Sequence, residues 1–323
     1  MISRRAFVGS AAAALTAGCV RHQPAGIAGR GAASRAGARL PIGFSTLGCP
    51  SWDWPRMLDR ATAYGFGSIE LRGIQQTMDL TKCAEFQPAR LAQSKQELAD
   101  RALVISDLGS SANLHEMDEA KHAAELSHAR RFIVLAGALG APYVRVFGNK
   151  FVAGVPREAM LAHIAAGLHA LGGFAREHNV VVVLESHGDF TDSPTLLELM
   201  RRADSPGAAL LWDAHHTFAF SNEQPEATVQ QLGRYIRHTH LKDSVRAGTD
   251  RRYVLTGAGE VPVRRQVEAL VRAQYAGWFS FEWEKRWHKE IEEPEVAFPQ
   301  FASVVSGYLR DAGVSGQPGV PGR

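Results

Sequence analysis

The stretch FSFEWE, residues 279–284, alternates large apolar residues with polar ones. Because successive side chains of a β-strand point to opposite faces, Phe279, Phe281 and Trp283 predict one buried face. Glu282 then places a carboxylate within a strand that otherwise belongs to a core, and a buried carboxylate requires a partner. The groups that could lie beside Glu282 follow from the strands predicted elsewhere in the chain.

Short β-rich runs alternate with longer helical segments from residue 40 onward. The predicted strands are 42–47, 68–72, 104–108, 143–147, 180–185, 209–213, 236–241 and 279–283. The predicted helices are 55–64, 88–102, 117–139, 156–178, 195–203, 226–234, 263–273 and 294–311. Eight strands, each followed by a helix, predict an α/β fold, a single-domain (β/α)8 TIM barrel over residues 40–312. A doubly wound sheet is disfavoured, because Ser45-Thr46-Leu47-Gly48 is not a phosphate-binding loop.

The last four predicted strands each end in a residue that can bind a metal. These residues are Glu185, Asp213, His240 and Glu282. Barrel enzymes carry their chemistry at the carboxyl ends of strands, where three carboxylates would repel unless a cation lay between them. Three carboxylates and one imidazole suit a divalent metal ion, for which we expect Mn²⁺ first, with Mg²⁺, Co²⁺ or Zn²⁺ as alternatives.

Each of these four residues also has a purely structural interpretation. Glu185 could pair with an arginine, and Asp213 could cap the next helix. His240 could be a core histidine whose hydrogen bonds are satisfied, and Glu282 could bind Lys242 or Arg286. One metal site accounts for all four positions together, so it is the hypothesis that we adopt.

The first 39 residues differ in kind from the rest of the chain. Ser3-Arg4-Arg5-Ala6-Phe7-Val8 precedes an uncharged stretch and resembles a twin-arginine export signal. Leu15-Thr16-Ala17-Gly18-Cys19 resembles a lipoprotein processing site with the leucine one position too early, which leaves lipidation of Cys19 open. Residues 20–39 predict a flexible spacer, and residues 313–323 a loose tail. We therefore expect an exported protein, periplasmic or anchored to a membrane and facing outward.

Composition excludes several classes of protein. The chain is 45% hydrophobic and 21% charged, as in globular proteins. Its net charge is +3, and many of the arginines lie in the first 39 residues. This charge distribution does not indicate a protein that binds nucleic acid. No apolar run reaches the roughly 18–20 residues that span a bilayer. Cys49 and Cys83 could pair in an oxidising compartment or remain as free buried thiols.

Six short motifs carry a resemblance to a known family. They are SIELRG at 68–73, LESHGD at 184–189, WDAHH at 212–216, HTHLKD at 238–243, TGAGEV at 256–261 and FEWE at 281–284. Over residues 42–309 the chain resembles the xylose isomerase-like barrel superfamily, the sugar phosphate isomerase/epimerase group, and within it the ketose 3-epimerases such as D-tagatose 3-epimerase. The resemblance implies that the four strand-end residues hold one divalent metal, with Glu185 and Glu282 as catalytic base and acid.

The resemblance also implies residues that contact the substrate. His216, three residues after Asp213, and Arg246, six after His240, match positions that hold substrate oxygens. His187 could reach a substrate hydroxyl, and Glu70 could orient a metal ligand. We interpret Lys242 as a structural residue that points away from His240.

The function implied is that of a metal-dependent sugar isomerase or epimerase. It would transfer a proton next to the carbonyl of a keto-sugar, or of a sugar derivative, through an enediolate. One alternative is a lyase or dehydratase of keto-sugars, keto-inositols or 3-keto-glycosides, and another is a non-catalytic sugar-binding protein. An endonuclease IV-like activity is disfavoured, because Asp250-Arg251-Arg252 replaces a metal-binding Asp-Arg-His. The expected partner is a small sugar, with a homo-oligomer left open and no membrane contact beyond the signal or anchor.

Overall fold

The computed structural model describes residues 39–316. The predicted export signal, Cys19, all but the last residue of the spacer, and most of the C-terminal tail lie outside the described residues, so they stay predictions. Within residues 39–316 no helix combines the length and the apolar character that crossing a membrane requires. Cys49 and Cys83 are both buried, and neither forms a disulfide.

Eight parallel strands close into a barrel, which confirms the predicted fold. They are β1 (Ile42–Ser45), β2 (Ser68–Leu71), β3 (Val104–Asn113), β4 (Tyr143–Phe147), β5 (Val181–Glu185), β6 (Ala208–Asp213), β7 (Ile236–Leu241) and β10 (Phe279–Phe281). Their order around the barrel is β1-β10-β7-β6-β5-β4-β3-β2. The remaining two strands, β8 (Asp243–Ala247) and β9 (Asp250–Val254), form an antiparallel hairpin after β7.

Helices connect the strands at the predicted places. They are α1 (Trp54–Ala63), α2 (Pro88–Asp100), α3 (Glu119–Leu139), α4 (Arg157–Glu177), α5 (Ser193–Ala203), α6 (Ala214–Ser221), α7 (Pro225–Leu232), α8 (Val263–Arg272) and α9 (Pro294–Asp311). Helix α6 and the hairpin were not predicted. The start of α6 is hidden in the sequence because Asp213 ends β6 and also caps α6, accepting the backbone N–H groups of His215 and His216 at 3.0 Å each.

The alternation in FSFEWE explains how the barrel closes. Phe281 pairs with Phe44 of β1, and both rings face the outer helices, where Phe281 stacks on Phe301 of α9 with centroids 4.3 Å apart. Fully burying a phenylalanine contributes about 1.5–3 kcal/mol, so this aromatic seam holds β10 against α9. Ser280 and Glu282 consequently face the interior of the barrel, which answers why a carboxylate lies in a buried strand.

Strand register brings the polar strand ends to one level. Asp213 of β6 lies opposite His240 of β7, and His240 lies opposite Ser280 of β10. Glu282 follows β10 directly, and its backbone N–H donates to the carbonyl of Leu241 at 3.2 Å. The carboxyl ends of β5, β6, β7 and β10 therefore meet on one side of the barrel mouth.

Candidate metal centre and the adjoining cavity

The four predicted ligands converge. Glu185, Asp213, His240 and Glu282 are all buried, and each offers one ligand atom within 4.8 Å of the others. Nδ1 of His240 lies 3.2 Å from Oε2 of Glu282, 3.7 Å from Oδ2 of Asp213 and 4.0 Å from Oε1 of Glu185. The structure thus gathers the donor set that the strand ends predicted.

The unpaired Nδ1 of His240 tests whether a metal fits. This buried nitrogen has no hydrogen-bond partner among residues 39–316, although it faces three carboxylates. Buried polar atoms are normally satisfied, so an orphan nitrogen at the centre of a carboxylate cluster indicates a missing ligand. Three carboxylates and one imidazole fit a hard or borderline divalent cation.

Glu70 of β2 lies behind His240. Its Oε2 accepts hydrogen bonds from Nε2 of His240 at 2.8 Å, from Nε2 of His238 at 2.9 Å and from the Ser280 hydroxyl at 3.0 Å. In neutral His240, a carboxylate bound to Nε2–H fixes the imidazole tautomer and leaves the lone pair on Nδ1, which faces the three carboxylates. Glu70 is therefore placed to orient the histidine. Against the effect of burial, Glu282 and Glu70 raise the pKa of His240 well above its usual value, so a metal bound there would displace a proton from Nδ1.

Two cations pair with the carboxylates. Nζ of Lys242 lies 2.5 Å from Oδ2 of Asp213 and 3.1 Å from Oε1 of Glu284, and it also bonds Glu282. The interpretation of Lys242 as a residue that points away from His240 is therefore wrong, because residues two apart in a strand share a face. Arg145 of β4 bonds Glu185 through Nη1.

Three of the four structural interpretations are thus also observed. Glu185 pairs with Arg145, Asp213 caps α6, and Glu282 bonds Lys242. His240 is the exception, because the core histidine with satisfied hydrogen bonds is not what the structure shows. The observation that favours a metal site over separate ion pairs is the convergence of all four side chains on one point, where Nδ1 of His240 makes no hydrogen bond to any of the described residues.

Neighbouring charges keep two of the candidate ligand carboxylates ionised. Burial alone would raise the pKa of Asp213, but His216 and Lys242 outweigh it and hold the pKa well below its usual value. Burial likewise opposes ionisation of Glu282, whose pKa is nevertheless lowered by His240 and Lys242. Carboxylates that stay anionic at neutral pH are ready to bind a cation without first losing a proton.

A small cavity adjoins the cluster. Its volume is about 80 Å³, and its lining includes Glu185, Glu282, Arg72, His187, His216 and Trp287. Binding sites for small molecules usually measure roughly 300–1,000 Å³, so a sugar requires rearrangement at the rim. Trp287, 57% exposed, is the most exposed of the lining side chains. A second cavity, of about 600 Å³, lies at the amino ends of the strands, and its lining includes Tyr143, Ile236 and Trp278. None of the potential metal-binding clusters found in residues 39–316 lies in it.

The predicted substrate-contacting residues divide into two groups. His187 and His216 both line the cavity, with their ring centroids 5.2 Å apart. Nδ1 of His216 bonds the carbonyl of Ser186 at 2.9 Å, and burial lowers the pKa of His187. Arg246 lies elsewhere: it is exposed on β8, opposite Arg251 of β9, and does not line the cavity. The unpredicted hairpin carries it away, so its role stays a prediction.

Three cationic residues of the site were missed or misread from the sequence. Arg145 lies in the middle of the apolar strand YVRVF, Arg72 follows β2, and Lys242 follows β7. The signal for Arg145 was the same as for Glu282, a charged residue within a buried strand. Strand alternation from His240 would have placed Lys242 correctly.

Known proteins resemble this chain in sequence and in fold. Inosose dehydratase of Geobacillus thermodenitrificans is 28% identical over 166 residues, covering 45% of this chain and 52% of that protein, so the chain spans about half the length of the curated relatives it matches. The structure of the IOLI protein with a bound zinc atom superposes with a TM-score of 0.71 at 15% identity, covering 84% of this chain and 99% of that one. L-ribulose 3-epimerase superposes with a TM-score of 0.68 at 18% identity, covering 85% and 95% of the two chains.

The two structural likenesses, both at low identity, show the fold alone. The sequence model described as "Xylose isomerase-like TIM barrel" matches residues 58–300, which is most of the chain and includes all four candidate ligands. The chain belongs to the xylose isomerase-like TIM barrel family.

Proposed function

We propose that this protein is a metal-dependent enzyme that removes the proton next to the carbonyl of a keto-sugar or a related keto-polyol. The observation that carries the proposal is the orphan Nδ1 of His240, which faces Glu185, Asp213 and Glu282 at the edge of a cavity. A divalent metal ion held by these four residues supplies Lewis-acid stabilisation of negative charge on the substrate oxygens.

The chain's own residues would move the proton. Glu185 and Glu282 end strands on either side of β6 and β7, so a substrate lying in the cavity would have one carboxylate on each flank. Glu185 pairs with Arg145, and Glu282 pairs with Lys242. Against the effect of burial, His240 and Lys242 lower the pKa of Glu282 and favour its anionic form, as suits a base. Positioned proton transfer supplies typically about 10²–10⁴-fold of rate.

Isomerisation or epimerisation is the first candidate outcome. In this reaction the proton taken by one carboxylate is replaced on the carbon from the opposite flank or on the neighbouring carbon. The facing positions of Glu185 and Glu282 support it. His216, held by the carbonyl of Ser186, and the half-buried His187 would bind the hydroxyls that set the orientation of the sugar.

Elimination of water is the second candidate, and one observation favours it. The curated relatives that match are named inosose dehydratase. A departing hydroxyl leaves as water only when it is protonated. Lys242 would not supply that proton, because it does not line the cavity. In addition, against the effect of burial, Asp213, Glu282 and Glu284 raise its pKa well above the usual value.

One experiment tests the proposal and separates the outcomes. Metal content would be measured for the wild type, Glu185→Gln, Glu282→Gln and the control Glu198→Gln. Glu198 lies on α5, and its carboxylate pairs with Arg157 and Arg202. We expect about one divalent ion per chain in the wild type and the control. The two ligand variants should bind metal more than about 100-fold more weakly, since even outer partners of a metal site cost 10–100-fold.

The metal-loaded protein would then be incubated with D-fructose, D-tagatose and scyllo-inosose in D₂O. Deuterium incorporation without loss of water indicates the isomerase or epimerase. Loss of water with a new ultraviolet absorbance indicates the dehydratase. Bound metal with neither reaction for any keto-sugar would favour a sugar-binding protein, and no metal uptake would overturn the site.

A further inference from the structure

We propose that Arg72 and Arg145 form an anion-binding subsite beside the candidate metal centre, so that the substrate is an acidic keto-sugar. The group bound there would be a carboxylate or a phosphate ester at the end of the sugar remote from the reacting carbonyl. The identity of the rest of the substrate rests on the proposed function, whereas the subsite rests on the two arginines alone.

Arg145 is buried and incompletely paired. Its side chain is 3% exposed, and Nη1 bonds Glu185. Its Nε and Nη2 have no hydrogen-bond partner in the part of the chain that the structure describes. A guanidinium has five N–H donors, and buried donors are normally satisfied. The unused donors of Arg145 therefore indicate an acceptor that the protein itself does not provide.

Arg72 lines the same cavity and has no acidic partner. Its guanidinium donates to the hydroxyl of Ser111 at 3.0 Å and weakly to the carbonyl of Gly109 at 3.4 Å. Across residues 39–316, no carboxylate lies within ion-pair distance of it. Neutral acceptors fix its direction without cancelling its charge, so the cation is held ready for a ligand.

The two arginine side chains approach each other over a glycine. A Cβ at Gly109 would come within 2.7 Å of Cδ of Arg72 and 2.9 Å of Nη2 of Arg145, so both side chains depend on the bare backbone there. Burial and the neighbouring Arg145 lower the pKa of Arg72 to about 9, which leaves it protonated at pH 7 next to a like charge. An anion between them would relieve this repulsion, and the planar guanidinium fork matches the oxygens of a carboxylate or a phosphate.

Three ketoses that differ only at carbon 6 test the proposal. D-fructose carries a hydroxyl there, D-fructose 6-phosphate a phosphate, and D-fructuronate a carboxylate. Their affinities for Mn²⁺-loaded protein would be measured by calorimetry with the wild type, Arg72→Gln, Arg72→Lys and the control Arg252→Gln. Arg252 is exposed on β9 and does not line the cavity, so its variant removes one positive charge without touching the subsite.

We expect at least one anionic ketose to bind wild type about tenfold or more tightly than D-fructose, as charge-assisted hydrogen bonds warrant. Arg72→Gln should abolish that preference while changing the affinity for D-fructose less than about threefold, whereas Arg72→Lys should keep part of it and Arg252→Gln all of it. A preference for D-fructuronate alone identifies a carboxylate, and one for D-fructose 6-phosphate alone identifies a phosphate ester.

A wild type that prefers neither anion over D-fructose, including one that binds neither, overturns the subsite. A preference that survives in Arg72→Gln overturns it as well. The readout is binding, so an absence of turnover counts against the proposed function only. If the protein takes up no metal, the same titration on the metal-free protein still decides the subsite, because both arginines belong to the chain.

Discussion

The two halves of the barrel mouth carry opposite charge. The metal half comprises the ends of β5, β6, β7 and β10, with the four candidate ligands. The arginine half comprises Arg72, which follows β2, and Arg145, which lies in the middle of β4. The difference suggests a division of labour, in which one half would hold the reacting oxygens on a metal and the other would bind the remote end of the substrate. Binding energy from such a remote group can orient the reacting carbon.

Two neighbouring carboxyl groups inside the barrel differ in their pKa values. Glu70 of β2 and Asp107 of β3 are paired in register, and both are fully buried. Glu70 accepts three hydrogen bonds, and His240 and His238 lower its pKa against the effect of burial. Asp107 has no hydrogen-bond partner within the described range, and burial together with Glu70 raises its pKa to about 8. The partners across the barrel, rather than depth alone, decide which carboxyl is ionised.

Replacing Lys242 by methionine should produce the largest effect on the metal half. Without the ammonium, Asp213 and Glu282 remain buried together, and breaking a buried ion pair costs about 3–5 kcal/mol. Urea unfolding of the metal-free protein should show this loss. Mn²⁺ should restore most of it, because the ion replaces the missing positive charge. The exposed Lys95→Met is the control and should be near neutral. An equal loss with and without Mn²⁺ would show that the carboxylates do not share a metal.

Replacing Glu70 by glutamine should weaken metal binding by about 10–100-fold, the usual cost of losing an outer partner of a ligand. The amide has no negative charge. Its oxygen would therefore accept hydrogen bonds from His238 and His240 less strongly than the carboxylate does. Titration with Mn²⁺ measures the effect. Ser280→Ala removes only one hydrogen bond from Glu70 and should cost less. Unchanged affinity in Glu70→Gln would mean that the tautomer of His240 is fixed in some other way.

Replacing His128, a residue of helix α3, by glutamine should give the smallest effect of the three variants. Burial and Arg131 lower the pKa of His128, so its folded-state pKa lies below the unfolded value of about 6.5. As the pH falls from 8 to 5, the unfolded chain binds this proton first, and the free energy of unfolding decreases. The variant should therefore lose less stability than the wild type over that range in urea unfolding. Parallel pH profiles for the two proteins would contradict the lowered pKa.

Local patterns were sufficient to predict the barrel and to place the four candidate ligands together. A strand has a period of two, so FSFEWE alone assigns Phe281 to the core and Glu282 to the interior of the barrel. Parallel strands end at one edge, so Glu185, Asp213 and His240 could be placed beside Glu282 from their positions at strand ends. These properties depend only on neighbouring residues and on strand direction, which the amino-acid sequence by itself determines.

Only the tertiary structure decided the partners of these groups. The bonds from Lys242 to Asp213 and from Arg145 to Glu185 join strands, and the closeness of Arg72 to Arg145 depends on the approach over Gly109. The exposure of Arg246 follows from a hairpin with no simple signal in the sequence. Such contacts depend on which side chains meet across a closed barrel. The distance between side chains on different strands is not encoded in any local periodicity.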